Sequence, residues 1–323
     1  MNIIITGGAG FIGSYLVDYY VEKGFKVIVL DNLSSGNLKN IEKWLNSNNF
    51  QFIKVDLKYI NDDVINIFKK GIDMVFHYAA NPEVRISIIE PEIHYRENVE
   101  ATFNILELCR KFKVKYLIFA SSSTVYGDAK VIPTPEDHPL EPVSIYGACK
   151  LACEVMIKTY SKLYNIKSLI LRYANIIGAR SNHGVIIDFI KKLRSNPREL
   201  EILGDGKQRK SYLHISDTID ATVRLVDYII NNEINLDVFN VGNEDWITVK
   251  EIADIVTHEM KLRSVKYIYK PATSNGRGWI GDVKYMLLSI EKLKKTINWK
   301  PKMNSKEAVR QTVKELLNSL VIE

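Results

Sequence analysis

Cysteine is scarce: Cys109, Cys149 and Cys153 are the only three in 323 residues. That is too few, and odd in number, for a disulfide framework, so a reducing, cytoplasmic setting is expected. No apolar run approaches the ~18 residues that span a bilayer. The longest, 168–178, is broken by Arg172 and Asn175, so no membrane attachment is expected. Only Asn2-Ile3-Ile4-Ile5-Thr6 precedes the first glycine motif, without a basic lead, and no secretory signal is read there. Cys149 and Cys153 stand four apart but lack further His or Cys partners; packing on a helix is expected, and no metal site. There is no internal repeat, no low-complexity tract and no nucleic-acid-binding signature. The net charge is +6, yet Lys191, Lys192, Arg194, Lys292, Lys294 and Lys295 alternate with apolar residues at helical spacing. They read as solvated helix faces, and no nucleic-acid partner is expected. The remaining composition, 46% hydrophobic and 25% charged, excludes a disordered chain or a fibre. The length suits one large or two modest domains.

The first half alternates β-branched runs with amphipathic stretches. Strands are expected at 2–6, 26–30, 51–55, 73–77, 116–120 and 169–173, and helices at 11–22, 62–69, 92–112 and 145–163. Two-sided apolar strands alternating with helices predict an α/β fold: a doubly wound parallel sheet covered on both faces. After about Asn175 helices dominate, with short strands near 201–203, 238–241 and 266–269. This predicts a domain over 1–174 and a smaller α+β domain over 175–323 capping the first sheet. The 238–241 strand, among other segments, is free to return to the first domain.

Gly7-Gly8-Ala9-Gly10-Phe11-Ile12-Gly13 follows a five-residue strand and opens a helix. Glycines there permit a tight turn and close helix packing, and a helix N-terminus offers N–H donors and positive partial charge to a pyrophosphate. The second strand runs into Asp31, 18 residues beyond Gly13, close to the spacing of about 20 for an acid that binds an adenosine ribose. A carboxylate accepts from the ribose hydroxyls and repels a 2′-phosphate, which favours NAD over NADP. Tyr146 and Lys150 stand at i and i+4, on one helix face. The lysine charge is expected to favour tyrosinate and bring the tyrosine nearer neutrality as a base. The strand at 116–120 runs into Ser121-Ser122-Ser123-Thr124-Val125-Tyr126-Gly127, and hydroxyls at the carboxyl end of a parallel strand sit where such sheets bind ligands.

These motifs, with His77-Tyr78-Ala79-Ala80 and Arg172-Tyr173-Ala174-Asn175, occur in one order along nearly the whole chain. In that order the chain resembles an extended short-chain dehydrogenase/reductase (the Rossmann fold) of the nucleotide-sugar epimerase/dehydratase group, most of all its UDP-glucose 4-epimerase branch. The resemblance implies an isomerase that holds NAD and a UDP-sugar. Tyr146 would take the proton of the sugar C4 hydroxyl, Lys150 would tune it, and Ser122 would hydrogen-bond the reacting oxygen. A 4-keto sugar would turn over in the pocket before hydride returns to its other face. NAD would lie along Gly7, Gly10, Phe11, Ile12, Gly13, Asp31, Asn32, Ser35, Gly36, Asp56, Leu57, Tyr78, Ala79, Ala80, Asn98, Tyr146, Lys150 and Tyr173. The sugar nucleotide would meet Arg85, Ser122, Thr124, Tyr146, Asn175, Val185, Lys210, Arg277 and Met286.

The resemblance implies more about substrate and assembly. Where dehydratases of the group carry Thr-Asp-Glu this chain has Ser122-Ser123-Thr124, and related decarboxylases keep a Glu at the Thr124 position. Without those acids nothing removes a C5 proton or eliminates water, which favours epimerisation over a dehydratase or reductase; a non-enzymatic dinucleotide-binding protein would typically lack the Tyr/Lys pair. The group's Arg-Asp is Lys210-Ser211 here, with Arg209 adjacent as a substitute. Its Arg-x-Gly-Asp is Trp279-Ile280-Gly281-Asp282, with Arg277 as the nearest arginine. Met286 falls at a pocket gate, where bulk governs access of N-acetylated sugars. A homodimer through a four-helix bundle is also implied. The apolar residues Ile105, Leu108, Leu151, Val155 and Tyr160 of the two long helices exceed what one buried face needs.

Overall fold

A computed structural model describes residues 1–319 of the chain. Its strands are β1 (Asn2–Thr6), β2 (Lys26–Asp31), β3 (Phe50–Lys54), β4 (Met74–His77), β5 (Tyr116–Ser122), β6 (Lys167–Tyr173), β7 (Asn175–Ile177), β8 (Glu199–Leu203), β9 (Arg209–Lys210), β10 (Tyr212–His214), β11 (Leu236–Val241), β12 (Ile247–Thr248), β13 (Lys266–Lys270) and β14 (Tyr285–Met286). The α-helices are α1 (Phe11–Glu22), α2 (Asp62–Lys69), α3 (Ile86–Ile89), α4 (Pro91–His94), α5 (Ala101–Lys111), α6 (Ile145–Tyr164), α7 (Val185–Ser195), α8 (Ile215–Asn231), α9 (Val249–Glu259), α10 (Glu291–Ile297) and α11 (Ser305–Ser319).

Seven strands form one sheet in the order β3-β2-β1-β4-β5-β6-β11. The pairs from β3 to β5 run parallel, with Ile3 opposite both Val27 and Met74. This is the doubly wound arrangement, whose order reverses between β1 and β4 and so opens a crevice at their carboxyl ends. Local chemistry sets the crossovers. Asn61 caps α2 by accepting from the Val64 amide, and Asp62, Asp63 and Lys69 complement the helix dipole. Thr248 and Glu251 form a reciprocal capping box on α9.

The chain divides into two compact, discontinuous units. The first comprises 1–125, 145–172 and 221–239; the second comprises 126–144, 173–220 and, among the described residues, 240–319. The first therefore gains 221–239 and lacks 126–144, where the sequence placed one change-over near 175. In the first unit, Ile4, Leu30, Val75, Leu117 and Ile170 of the sheet pack with Ile105, Leu106 and Cys109 of α5 and Cys153 and Ile157 of α6. In the second, α7, α9 and α11 bury Phe189, Ile190, Ile252, Val256, Val309 and Val313 around β8.

The single helix expected over 92–112 is interrupted. After α4 the chain takes a π-helical course over Tyr95–Glu100 before α5 begins. The interruption lets Asn98 turn inward, where its Oδ1 accepts from the Asn81 amide at 2.8 Å. Ile105 and Leu108, assigned above to an oligomeric surface, are buried in the first unit's own core.

Candidate active site

The turn after β1 is shaped by backbone crowding. Gly7 has φ +67°, and a Cβ there would come within 2.7 Å of the Ala79 nitrogen; one on Gly13 would come within 2.2 Å of the Gly7 carbonyl oxygen. Only glycine lets α1 and the loop after β4 approach this turn so closely. Gly10 caps α1 with no side-chain bond, and the helix has no acid in its first turn, so its leading N–H groups face no competing carboxylate. Phe11 and Ile12, both half-buried, open this helix.

Asp31 closes β2. Its Oδ2 accepts from the Ala9 amide at 2.9 Å and its Oδ1 from the Leu33 amide at 2.8 Å. Burial raises its pKa and these two amides act in the opposite sense. A carboxylate has about four acceptor positions, so about two remain for ribose hydroxyls. A Cβ on Gly36 would sit 3.1 Å from both Asp31 oxygens, so glycine keeps that carboxylate uncovered. Asn32 lies 3.5 Å from Asp56 Oδ2, and Leu57 is buried, its carbonyl accepting from Asn104 Nδ2. Ser35 is on the same loop as Gly36 and is exposed to solvent. The Tyr78 and Ala79 amides both donate to Thr6 Oγ1, at 3.2 and 3.1 Å, which fixes the path of 78–80 at the sheet's switch point. Free helix donors, an uncovered carboxylate and this edge fit a dinucleotide.

Asn98 is 1% exposed, and its amide bonds Asn81 and His94 Nδ1, so it braces the loop at 81. Arg85 is exposed and pairs with Glu83 at 3.1 Å. His77 behaves as a packed residue. Burial, then the Lys150 charge, holds it neutral at about 3, between Thr6 and Thr102.

At the end of β5 the expected catalytic residues come together. The Thr124 amide and hydroxyl both donate to Ser122 Oγ, at 3.2 and 3.0 Å. These occupy the oxygen's two acceptor positions, so the Ser122 proton is left for Tyr146, with which it hydrogen-bonds. Lys150 Nζ donates to the Ala120 carbonyl at 2.8 Å and lies 5.8 Å from the Tyr146 ring centroid. The acid-base balance differs from the expectation. Burial pushes Tyr146 up to about 12, against the Ser122 bond, and pushes Lys150 down to about 8. Lys150 therefore loses its proton before Tyr146 does, and the ligand-free pair at neutrality is an ammonium beside a phenol. Burial outweighs the lysine's charge here.

The second unit gathers a further group. Lys210 Nζ lies 2.6 Å from Asp282 Oδ1 and 5.2 Å from the Trp279 ring centroid. Arg277 donates to the Asp282 carbonyl at 2.6 Å and to Asp128 at 2.8 Å. Both cations are thus matched by acids. Met286 is buried and stands opposite Lys210 across β14 and β9. Asn175 donates to the Ser211 carbonyl at 3.0 Å, and Tyr173 is buried beside it in the chain. Val185 begins α7 and packs, partly buried, against the second unit's core. Arg209, its neighbour on β9, stacks over Trp246 at 5.7 Å.

One residue close to the catalytic group escaped the sequence reading. Glu154 is fully buried, one helical turn beyond Lys150, and bonds Ser121 and Arg172. Its i+4 spacing from Lys150 was the only signal of it.

Residues 3–242 match the NAD dependent epimerase/dehydratase family. The chain is 46% identical to a crystal structure of a UDP-galactose 4-epimerase, covering 99% of this chain and 100% of that one with a TM-score of 0.86. It is 30% identical to the UDP-glucose 4-epimerase of Mycolicibacterium smegmatis, over 98% of this chain and 99% of that protein. It is 29% identical to the Thermus thermophilus UDP-glucose 4-epimerase solved in complex with NAD, covering 99% of this chain and 100% of that one with a TM-score of 0.84.

Proposed function

The chain belongs to the NAD dependent epimerase/dehydratase family, and on that premise we propose that it interconverts UDP-glucose and UDP-galactose by epimerisation at C4. The observation that carries this reading is the Ser122–Tyr146–Lys150 group, in which Thr124 directs the serine proton at the phenol oxygen. When bound, NAD supplies a cationic ring that takes a hydride and gives it back.

The chain's own residues do the rest. The α1 amides and Asp31 hold the dinucleotide, with Asn32, Ser35, Gly36, Asp56 and Leu57 around its adenosine and Tyr78–Ala80 along its path. Tyr146 accepts the C4 hydroxyl proton, and the Ser122 hydroxyl orients the same oxygen. Lys150, cationic below about 8, stabilises the tyrosinate as it forms. Thr124 carries an alcohol hydroxyl where a dehydratase or decarboxylase needs a carboxyl. In the second unit the candidates for contact with a sugar nucleotide are Asn175, Val185, Lys210, Arg277 and Met286. Lys210 offers the diphosphate a point charge where an arginine would offer a fork.

The protein works as a cytoplasmic homodimer in this reading. Its three thiols are free and buried, and among the described residues no helix is long and apolar enough to cross a membrane. Phe103 on α5 and Val155, Leu163 and Tyr164 on α6 leave large apolar surface exposed, from 46% to 66%, as a helical interface requires. NMR of products from a panel of UDP-, dTDP- and GDP-sugars tests the function. A mixture of UDP-glucose and UDP-galactose formed from either sugar supports it; a keto-deoxy sugar or a pentose refutes it.

A further inference from the structure

Glu154 and Arg172 form a charge pair inside the first unit, with side chains 0% and 2% exposed. Glu154 Oε1 accepts from Arg172 Nε at 2.9 Å and from Ser121 Oγ at 2.6 Å; Oε2 accepts from Arg172 Nη2 at 2.7 Å and lies 3.3 Å from Lys158 Nζ. One carboxylate therefore joins α6, the end of β5 and the end of β6. Burying such a pair costs several kcal/mol of desolvation per ion, so it is weak evidence for stability and stronger evidence for fixing one arrangement.

What it fixes lies one residue from the chemistry. Ser121 reaches Glu154, and its neighbour Ser122 reaches Tyr146, two residues of the same helix. One helical turn earlier, Lys150 holds the carbonyl of Ala120. Helix α6 thus grips consecutive residues of β5 at two points, and Tyr146 and Ser122 sit just beyond that grip. We propose that Glu154, held by Arg172, is a positioning residue that pins the end of β5 to α6 through Ser121 and so sets the Ser122–Tyr146 contact. Loss of the pin lets Ser122 drift from the phenol oxygen, though no residue touching the substrate has changed. Burial pushes the Glu154 carboxyl up, but Arg172, Ser121 and Lys158 more than reverse this, so it stays charged.

This inference rests on the epimerase reading for its kinetic arm only. Removing Glu154 would leave the buried arginine uncompensated and endanger folding, so the variant to use is Ser121→Ala, which spares the ion pair. In the enzyme loaded with NAD, kcat should fall about tenfold while KM for UDP-galactose stays within about twofold. Independently of turnover, amide hydrogen exchange over 121–124 should quicken about tenfold against an unchanged remainder of the sheet. Unchanged exchange in that segment overturns the proposal, as does wild-type kcat. An inactive parent enzyme would refute the epimerase reading instead, and the exchange result would still decide the pin.

Discussion

Replacing Lys150 with methionine removes one buried charge and should move activity and stability in opposite directions. The ammonium lies 5.8 Å from the Tyr146 ring centroid. At that separation and an effective dielectric constant of about 20, two unit charges interact by about 3 kcal/mol, or about two pKa units. Without it tyrosinate is harder to form near neutrality, so kcat should fall about 100-fold. Stability follows the lysine's own titration. Burial drops Lys150 from 10.5 to about 8, which penalises the folded protonated state by about 3 kcal/mol. A base with a depressed pKa carries that penalty in full below pH 8, sheds it as pH rises, and is free of it above 10.5. Methionine removes the penalty but leaves the Ala120 carbonyl without its donor, a loss of about 1 kcal/mol. The variant should therefore unfold at higher urea than the wild type at pH 7, and lose that advantage by pH 10.5. Coupled kinetics on UDP-galactose and urea melts at both pH values check this. A kcat within threefold of wild type, or a variant less stable at pH 7, would refute the reasoning.

Tyr146→Phe deletes only the phenolic oxygen, and turnover should drop by about 10²–10⁴-fold, the usual contribution of a general base, with NAD binding by fluorescence unchanged. Met286→Ser should raise the kcat/KM ratio of UDP-N-acetylglucosamine to UDP-glucose and Met286→Tyr should lower it; equal ratios in all three proteins would remove Met286 as a gate. Phe103→Glu with Val155→Glu places charge on the exposed faces of α5 and α6, and light scattering at micromolar concentration should then report a monomer where the wild type is a dimer.

The cofactor half of the site was legible because its chemistry is local. The glycine turn, α1 and Asp31 occupy one short βαβ stretch whose spacing is set by backbone geometry, and α1 and α2 fall at the residues their periodicity predicts. The Tyr146–Lys150 pair was legible for the same reason. What stayed hidden depends on contacts distant in sequence. The π turn at 95–100 exists because Asn98 reaches back to Asn81. Ile105 and Leu108 look like surplus apolar surface until they are found in the first unit's own core. The protonation order of Tyr146 and Lys150 could not be read from their i, i+4 spacing. Spacing reports proximity, whereas here burial decides. The segments 126–144 and 221–239 changed units because side chains far along the chain claim them, as Asn240 claims Thr134 and Tyr126.

The central claim, that hydride leaves C4 and returns to the same carbon while Tyr146 handles the proton, is tested most directly with UDP-galactose carrying deuterium at C4. After incubation with the NAD-loaded protein in ordinary water, NMR should find UDP-glucose with its deuterium still at C4. Protium at C4 of the product would contradict the account, because the hydrogen would then have exchanged with solvent.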